Sequence, residues 1–322
     1  MIFKSLWRND LTDWKKLPAL KVMIGAVMIS FSGVYVKLAH VTPTVAGFYR
    51  VFLGGVILML IMIWKRERLW KGFPCFALGI LCGFIFALDL LFWHKSIHYI
   101  GPGLATILAN FQVFLLALFG VTVLGEKMNL RLILAIPLAM IGLFMIVGIR
   151  WDHMGESYRL GILLGLATAI CYCGYVLTLR KLQSMNDPLS PMANLMIITF
   201  ATSVFLGIGV WQEGASFMLP DAQTIVVLFS YGLFSQVIGW ILISTGLPGI
   251  RASLAGLLLL LQPALAFVWD MLFFNKETTS VSIAGAILTI AAIYMGTARR
   301  TDKGKDRKPP SHKSAVNATV KS

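Results

Sequence analysis

The sequence predicts an all-α polytopic membrane protein, with ten transmembrane helices arranged as two inverted five-helix repeats. Three observations lead there. First, the 322 residues are 58% hydrophobic and 13% charged, whereas a soluble domain carries roughly 25% charged residues. Second, the charges crowd the ends: residues 1–21 and 298–322 hold 17 of the 42 charged side chains, leaving too few for a soluble surface. Third, the second half of the chain repeats the first at a nearly constant offset. This composition excludes a cytosolic enzyme, a disordered protein and a disulfide scaffold.

The elements follow in chain order. Residues 1–18 form a basic leader in which Phe3, Leu6, Trp7, Leu11, Trp14 and Leu17 recur at helical spacing between Lys4, Arg8, Lys15 and Lys16. That pattern predicts an amphipathic helix lying on a lipid surface. A span needs about 20 mostly apolar residues. Ten runs meet this, near 19–39, 44–64, 73–95, 101–124, 129–149, 160–180, 191–212, 222–245, 250–274 and 279–298. The first run is long and lacks a small-residue cleavage site, so it is expected to stay as span one. Short polar breaks separate the runs, among them Lys65-Arg66-Glu67-Arg68, Gly125-Glu126-Lys127 and Asn186-Asp187-Pro188. The first repeat is assigned to 19–149, a linker to 150–159 and the second repeat to 160–298. The tail 299–322, rich in Lys and with Pro309-Pro310, reads as disordered. Its Asn317 sequon is a chance match.

Loop charge sets orientation. With both termini on one side, that side holds 21 Lys and Arg, and the opposite loops hold only Lys95, Arg150, Arg159 and Lys276. Both termini are therefore expected in the cytoplasm, with the chain multi-pass in the cell (inner or plasma) membrane. The net charge of +14 lies in tails and loops, so no nucleic-acid partner is expected. Cys75, Cys82, Cys171 and Cys173 fall in or beside apolar runs and read as packing residues. No metal or cofactor is expected.

The repeat is visible residue by residue. IGPGLATILANFQVFL at 100–115 lies on IRASLAGLLLLLQPAL at 250–265, matching Leu104 with Leu254, Ala105 with Ala255 and Gln112 with Gln262. A slightly smaller shift aligns Gly25 with Gly165 and Tyr35 with Tyr175. Five spans per half is an odd number, so the second half enters the membrane inverted, as in many secondary transporters.

Polar groups inside spans single out candidate site residues, because an ionisable group in hydrocarbon costs at least a few kcal/mol. Asp89 in span three and Arg50 in span two are placed at similar depth, with Asp89 roughly 9 Å below the outer end of its span. They read as a structural ion pair. Asp89 is alternatively a proton or substrate-amine site, or reaches toward the interface. Phe86, Asp89, Trp93 and Ile97 share a face, and the repeat turns this face into Gln236 with Trp240 beside it. Tyr35, Tyr172 and Tyr175 add aromatic area suited to an organic solute. Asn110 and Gln112 are two apart, so one is expected to line a cavity and the other to bond a neighbouring helix. Gln262 precedes Pro263, which should break span nine near Leu259. His94 and His98 share a face without a third metal ligand nearby in sequence.

With the ten spans in two halves, Pro43 followed by Arg50 entering span two, Gly125-Glu126 closing span four, and Gln262-Pro263 followed by ALAFVWDMLFFNKE, the chain resembles the EamA-like family of the drug/metabolite transporter superfamily over residues 19–298. It departs in carrying Ser32-Gly33 and Gln112-Val113 where the family often has Trp-Gly and a mid-span Pro. The resemblance implies a central cavity formed by spans one, three, four, six, eight and nine. It also implies small organic cargo, often amino acids or xenobiotics, commonly moved outward. No nucleotide-binding G-x-x-x-x-G-K-[ST] loop is present, so the expected driving force is a proton gradient or an exchange substrate. The expected reading is a secondary transporter, not an enzyme, working as a monomer or homodimer with the lipid bilayer and a small-molecule substrate as partners. An intramembrane enzyme, and a channel or non-transporting subunit, are the alternatives.

Overall fold

The computed structural model describes residues 17–68, 70–147, 156–185, 189–275 and 278–297. The leader's residues 1–16, most of the linker, the Asn186-Asp187-Pro188 break, Glu277 and the tail with Asn317 lie outside these residues.

Among the described residues the protein is helical throughout, with nine helices long and apolar enough to cross a membrane. The chain begins with α1 (Pro18–Ser30) and α2 (Ser32–Leu38), which bend at Phe31. In α3 (Pro43–Lys65), Pro43 sits at the first turn and the Thr42 side chain accepts from the Val45 N–H. Both features satisfy or remove donors that a helix start leaves open. Arg66 ends α3 in the left-handed region (φ 50). Ser190 caps α8 (Pro191–Gln212) in the same way as Thr42 caps α3.

Spans three and four depart from expectation. The segment 96–100 is not a loop, because α4 (Phe73–Asn110) continues through it and only Gly101 (φ 78, ψ 160) is non-helical. Gly tolerates this backbone, and Pro102 cannot donate back across the break. With α5 (Gln112–Thr122) the element Phe73–Thr122 is 50 residues long, about 75 Å if it were straight. The bilayer core is about 30 Å, so Gly101 is where this stretch must turn. The same continuation corrects the depth of Asp89. It lies about 17 Å from Ile100 and about 24 Å from Phe73 along the helix, near its middle and not one short step below its end.

The first half closes with α6 (Leu130–Val147). The second half opens with α7 (Glu156–Gln183), followed by α8. Next comes a long element made of α9 (Ala222–Ser230), a π-helix (Tyr231–Gly239), α10 (Trp240–Gly246) and a short 3-10 turn (Leu247–Gly249). Then α11 (Ala252–Leu259) and α12 (Leu261–Phe274) meet at Leu260, and α13 (Ser280–Thr297) completes the chain. The break at Leu260 falls where Pro263 was expected to interrupt span nine.

Close packing rests on small residues. A Cβ at Gly25 would stand 2.6 Å from the Gly239 carbonyl oxygen, and one at Gly83 would stand 2.6 Å from that of Ile198. These glycines let α1 lie against the π-helix and α4 against α8. Large apolar side chains such as Trp64 and Leu60 on α3, Leu163 on α7 and Ile287 on α13 are exposed, forming the lipid-facing surface of a membrane bundle. The cysteines are free; Cys75, Cys82 and Cys173 are buried.

Candidate functional site

Two buried clusters adjoin in the bundle. The first is aromatic. Phe86 of α4 stacks on Tyr175 of α7, with ring centroids 4.3 Å apart and planes at 15°. Trp240 of α10 meets Tyr175 edge-on at 4.8 Å and Phe86 at 5.6 Å. Tyr172 closes the group more loosely, 6.3 Å from Tyr175 and 6.5 Å from Trp240. Phe86 and Asp89 are separated by one helical turn on α4, so Asp89 borders these rings. The buried Asp89 carboxylate lies within electrostatic reach of Tyr172 and Tyr175. The Gln262 amide of α12 donates to the Tyr172 hydroxyl at 3.3 Å.

The second cluster centres on Arg50, which is 5% exposed. Its Nε donates to Gln236 Oε1 at 3.0 Å and its Nη1 to the Tyr231 hydroxyl at 3.3 Å. Gln236 in turn donates to Thr199 Oγ1 at 3.2 Å. Tyr35 stacks on Tyr231 at 5.4 Å, and the guanidinium lies 5.1 Å over that same ring. Gln236 and Trp240 are four residues apart, which joins the two clusters along one element.

Arg50 and Asp89 feel each other's charge, while the hydrogen bonds of Arg50 go to Gln236 and Tyr231. Gln112 is fully buried with neither amide atom paired. Neither it nor Asn110 makes the bond to a neighbouring helix expected of one of the two; the Asn110 amide donates to the Thr106 carbonyl one turn back at 2.7 Å, a bond any helical Asn reaches without a partner helix. Trp93 stands apart, its ring 5.4 Å from that of His94. His94 Nδ1 contacts Thr44 Oγ1 at 3.4 Å, and Thr44 donates to Glu213.

Tyr231 and Thr199 join the site without standing out in the sequence. Tyr231 is five residues before Gln236, and α-helical spacing puts such a pair on different faces. The wider π-helical turn brings them to the same guanidinium. π-helical turns recur at functional sites. Thr199 had no signal beyond a hydroxyl in an apolar run.

Outside the spans, the Glu126 carboxylate accepts from the Ala252 N–H at 2.6 Å, the Ser253 N–H at 3.2 Å and the Ser253 hydroxyl at 2.8 Å. Arg180 stands 3.4 Å from it. Glu126 thus caps α11 from another part of the chain. Partial burial pushes its carboxyl up, but the donors from Ala252 and Ser253 and the Arg180 guanidinium outweigh this and hold it below its ordinary value.

Comparison with known proteins agrees with this architecture. The model of the EamA-like transporter family matches residues 16–148 and 159–297. The "Uncharacterized transporter YvbV" of Bacillus subtilis (strain 168) is 25% identical over 263 residues, covering 80% of this chain and 83% of that protein. The pseudopaline exporter CntI of Pseudomonas aeruginosa (strain UCBPP-PA14) is 22% identical over 296 residues, covering 91% and 99%. A solved structure described as the crystal structure of a protein superposes with a TM-score of 0.75 at 16% identity, covering 88% of this chain and 96% of that one, a likeness of fold. Two family matches spanning both halves, on a bundle of apolar helices, identify a multi-pass membrane protein of the drug/metabolite transporter superfamily: the chain belongs to the EamA-like transporter family.

Proposed function

We propose that the protein is a secondary active exporter of small organic metabolites, such as amino acids or xenobiotics, working by alternating access. The observation that carries this is the convergence of the two clusters from both halves of the chain. Phe86, Asp89, Arg50 and Tyr35 come from the first half; Tyr172, Tyr175, Tyr231, Gln236, Trp240 and Gln262 come from the second. Buried aromatic area with a few polar groups is the usual chemistry of an organic-solute site. A site between halves can open to either side as they rock.

Further support comes from the arrangement of the helices. Counting the element that turns at Gly101 as two spans gives ten, five in each half, the odd number that an inverted repeat requires. Helices at equivalent positions pack together: α3 on α8, α5 on α11 and α6 on α13. The Thr289 hydroxyl contacts the Ala139 carbonyl oxygen at 3.3 Å, a pair separated by the repeat offset, as expected where a two-fold axis passes between helices. Contacts also divide the loops into two ends. Glu126, Arg180 and Ala252 meet at one end, and His40 meets Asp221 at the other. The Lys- and Arg-rich end is read as cytoplasmic, with both termini there, in the inner or plasma membrane. A proton or exchange substrate supplies the energy, and the unit is a monomer or homodimer. Outward direction is supported by the exporter among its relatives.

The test is untargeted metabolite release from cells expressing the protein against an empty-vector control. Selective release of a few organic solutes, lost in Gln236→Leu at equal protein level, is expected. An identical release profile in both strains would overturn the proposal.

A further inference from the structure

The aromatic cluster has a feature that packing alone leaves unexplained. The Tyr175 hydroxyl and the Trp240 indole N–H are buried without any hydrogen-bond partner, although both side chains are at most 1% exposed. Buried polar groups are normally paired, because an unpaired one forfeits its hydrogen bonds to water with nothing in return. Among the described residues the buried Asp89 carboxylate makes no hydrogen bond or ion pair, and the Arg50 guanidinium reaches it through charge alone. The guanidinium is itself engaged by Gln236 and Tyr231. Three groups with open hydrogen-bonding capacity therefore surround one set of ring faces.

From this we infer that Phe86, Asp89, Tyr172, Tyr175 and Trp240 form a binding site for an organic ammonium ion that also carries a hydrogen-bonding group. The inference rests on the transporter reading and names the class of cargo. Ring faces carry negative potential and attract a cation, most strongly when it is desolvated. The carboxylate supplies the counter-charge that an ammonium needs in a dry site. The Trp240 indole can only donate, so it fits an acceptor on the ligand, and the Tyr175 hydroxyl can accept or donate. An anionic ligand would bring a second negative charge beside Asp89. A purely apolar ligand would leave all three groups unpaired. In the present conformation the rings close on one another. Tyr172 is the most loosely held ring, with centroid distances of 6.3 and 6.5 Å against 4.3, 4.8 and 5.6 Å among the other three.

The test is calorimetric titration of the full chain in lipid nanodiscs with three probes that differ in one group: tyramine (ammonium), tyrosol (hydroxyl) and 4-hydroxyphenylacetate (carboxylate). The expected order is tyramine tightest, with tyrosol at least about tenfold weaker, given the size of a desolvated cation–π contact plus a counter-charge. Asp89→Asn should abolish the preference for tyramine over tyrosol. Tyr175→Phe, which keeps the ring, should retain most tyramine affinity, and Tyr175→Leu should lose it. Thermal melting checks that each variant is folded. If Asp89→Asn does not fold, the Tyr175 pair carries the test. Tyrosol or 4-hydroxyphenylacetate binding as tightly as tyramine would overturn the inference. So would an unchanged tyramine preference in folded Asp89→Asn, equal loss in both Tyr175 variants, or no tyramine binding. Selective metabolite release from cells, combined with any of these results, would leave the transporter reading standing and remove only the ammonium site.

Discussion

Arg50 is a buried cation held by neutral acceptors, and that makes Gln236 more than a lining residue. Its Oε1 takes the guanidinium Nε–H while its amide reaches Thr199. Hydrogen bonds to charged groups are worth about 1.5–3 kcal/mol. Gln236→Leu should therefore lower the melting temperature in nanodiscs, with a loss of that order. Gln236→Glu, which offers a counter-charge, should lose less than Gln236→Leu; the two melting curves check this. At this scale the sequence was a partial guide. Rarity in apolar runs marked Arg50, Asp89, Gln112 and Gln236, since each polar group in hydrocarbon needs a reason. Rarity does not give direction, however. Asn110 looked like a cavity residue and bonds its own helix, whereas Tyr231 looked ordinary and holds Arg50.

The helices show how loops and spans are tied together. Glu126 donates no hydrogen bond and accepts three from the first turn of α11, where the open N–H groups and helix dipole favour negative charge. Removing an N-terminal cap costs about 0.5–2 kcal/mol, so Glu126→Gln should lower stability at neutral pH by an amount in that range. The sign with pH follows from the lowered folded-state pKa. The contribution is full above the ordinary carboxyl value of 4.5 and is lost as pH falls through the lower folded value. Melting curves of wild type and Glu126→Gln should differ at pH 7 and converge in acid; a gap that persists in acid would contradict this account. The α6–α13 contact is set by size instead. A Cβ at Gly142 would meet the Gly285 carbonyl oxygen at 2.6 Å, so Gly142→Leu should force the helices apart. The expected loss is about 1–3 kcal/mol, read as reduced melting temperature, and Gly33→Leu, with open space around it, should be mild by comparison.

For the whole molecule, contacts sort the loops into two opposite ends. Arg66 lies in the loop after α3 and Ser216 in the loop after α8, and both are exposed. With the Lys- and Arg-rich end in the cytoplasm, Ser216→Cys in intact cells should react with a membrane-impermeant maleimide, and Arg66→Cys should react only after permeabilisation. The native cysteines are buried or half-buried and give the background. The reverse labelling pattern would invert the orientation.

What the sequence determined by itself is the membrane character, nearly every span and the polar residues worth testing. Hydropathy and loop charge are local properties of the chain, and they act against a uniform solvent. The tertiary structure decided which of those residues meet. Whether α4 continues to Gly101, and so where Asp89 lies along it, depends on a few φ/ψ values that apolarity does not encode. Whether Arg50 faces Asp89 or Gln236 depends on the rotation of α3 and on a π-helical turn far along the chain, in the second half. A wider turn shifts the phase of every side chain after it, and phase, not composition, selects the partners across a helix interface.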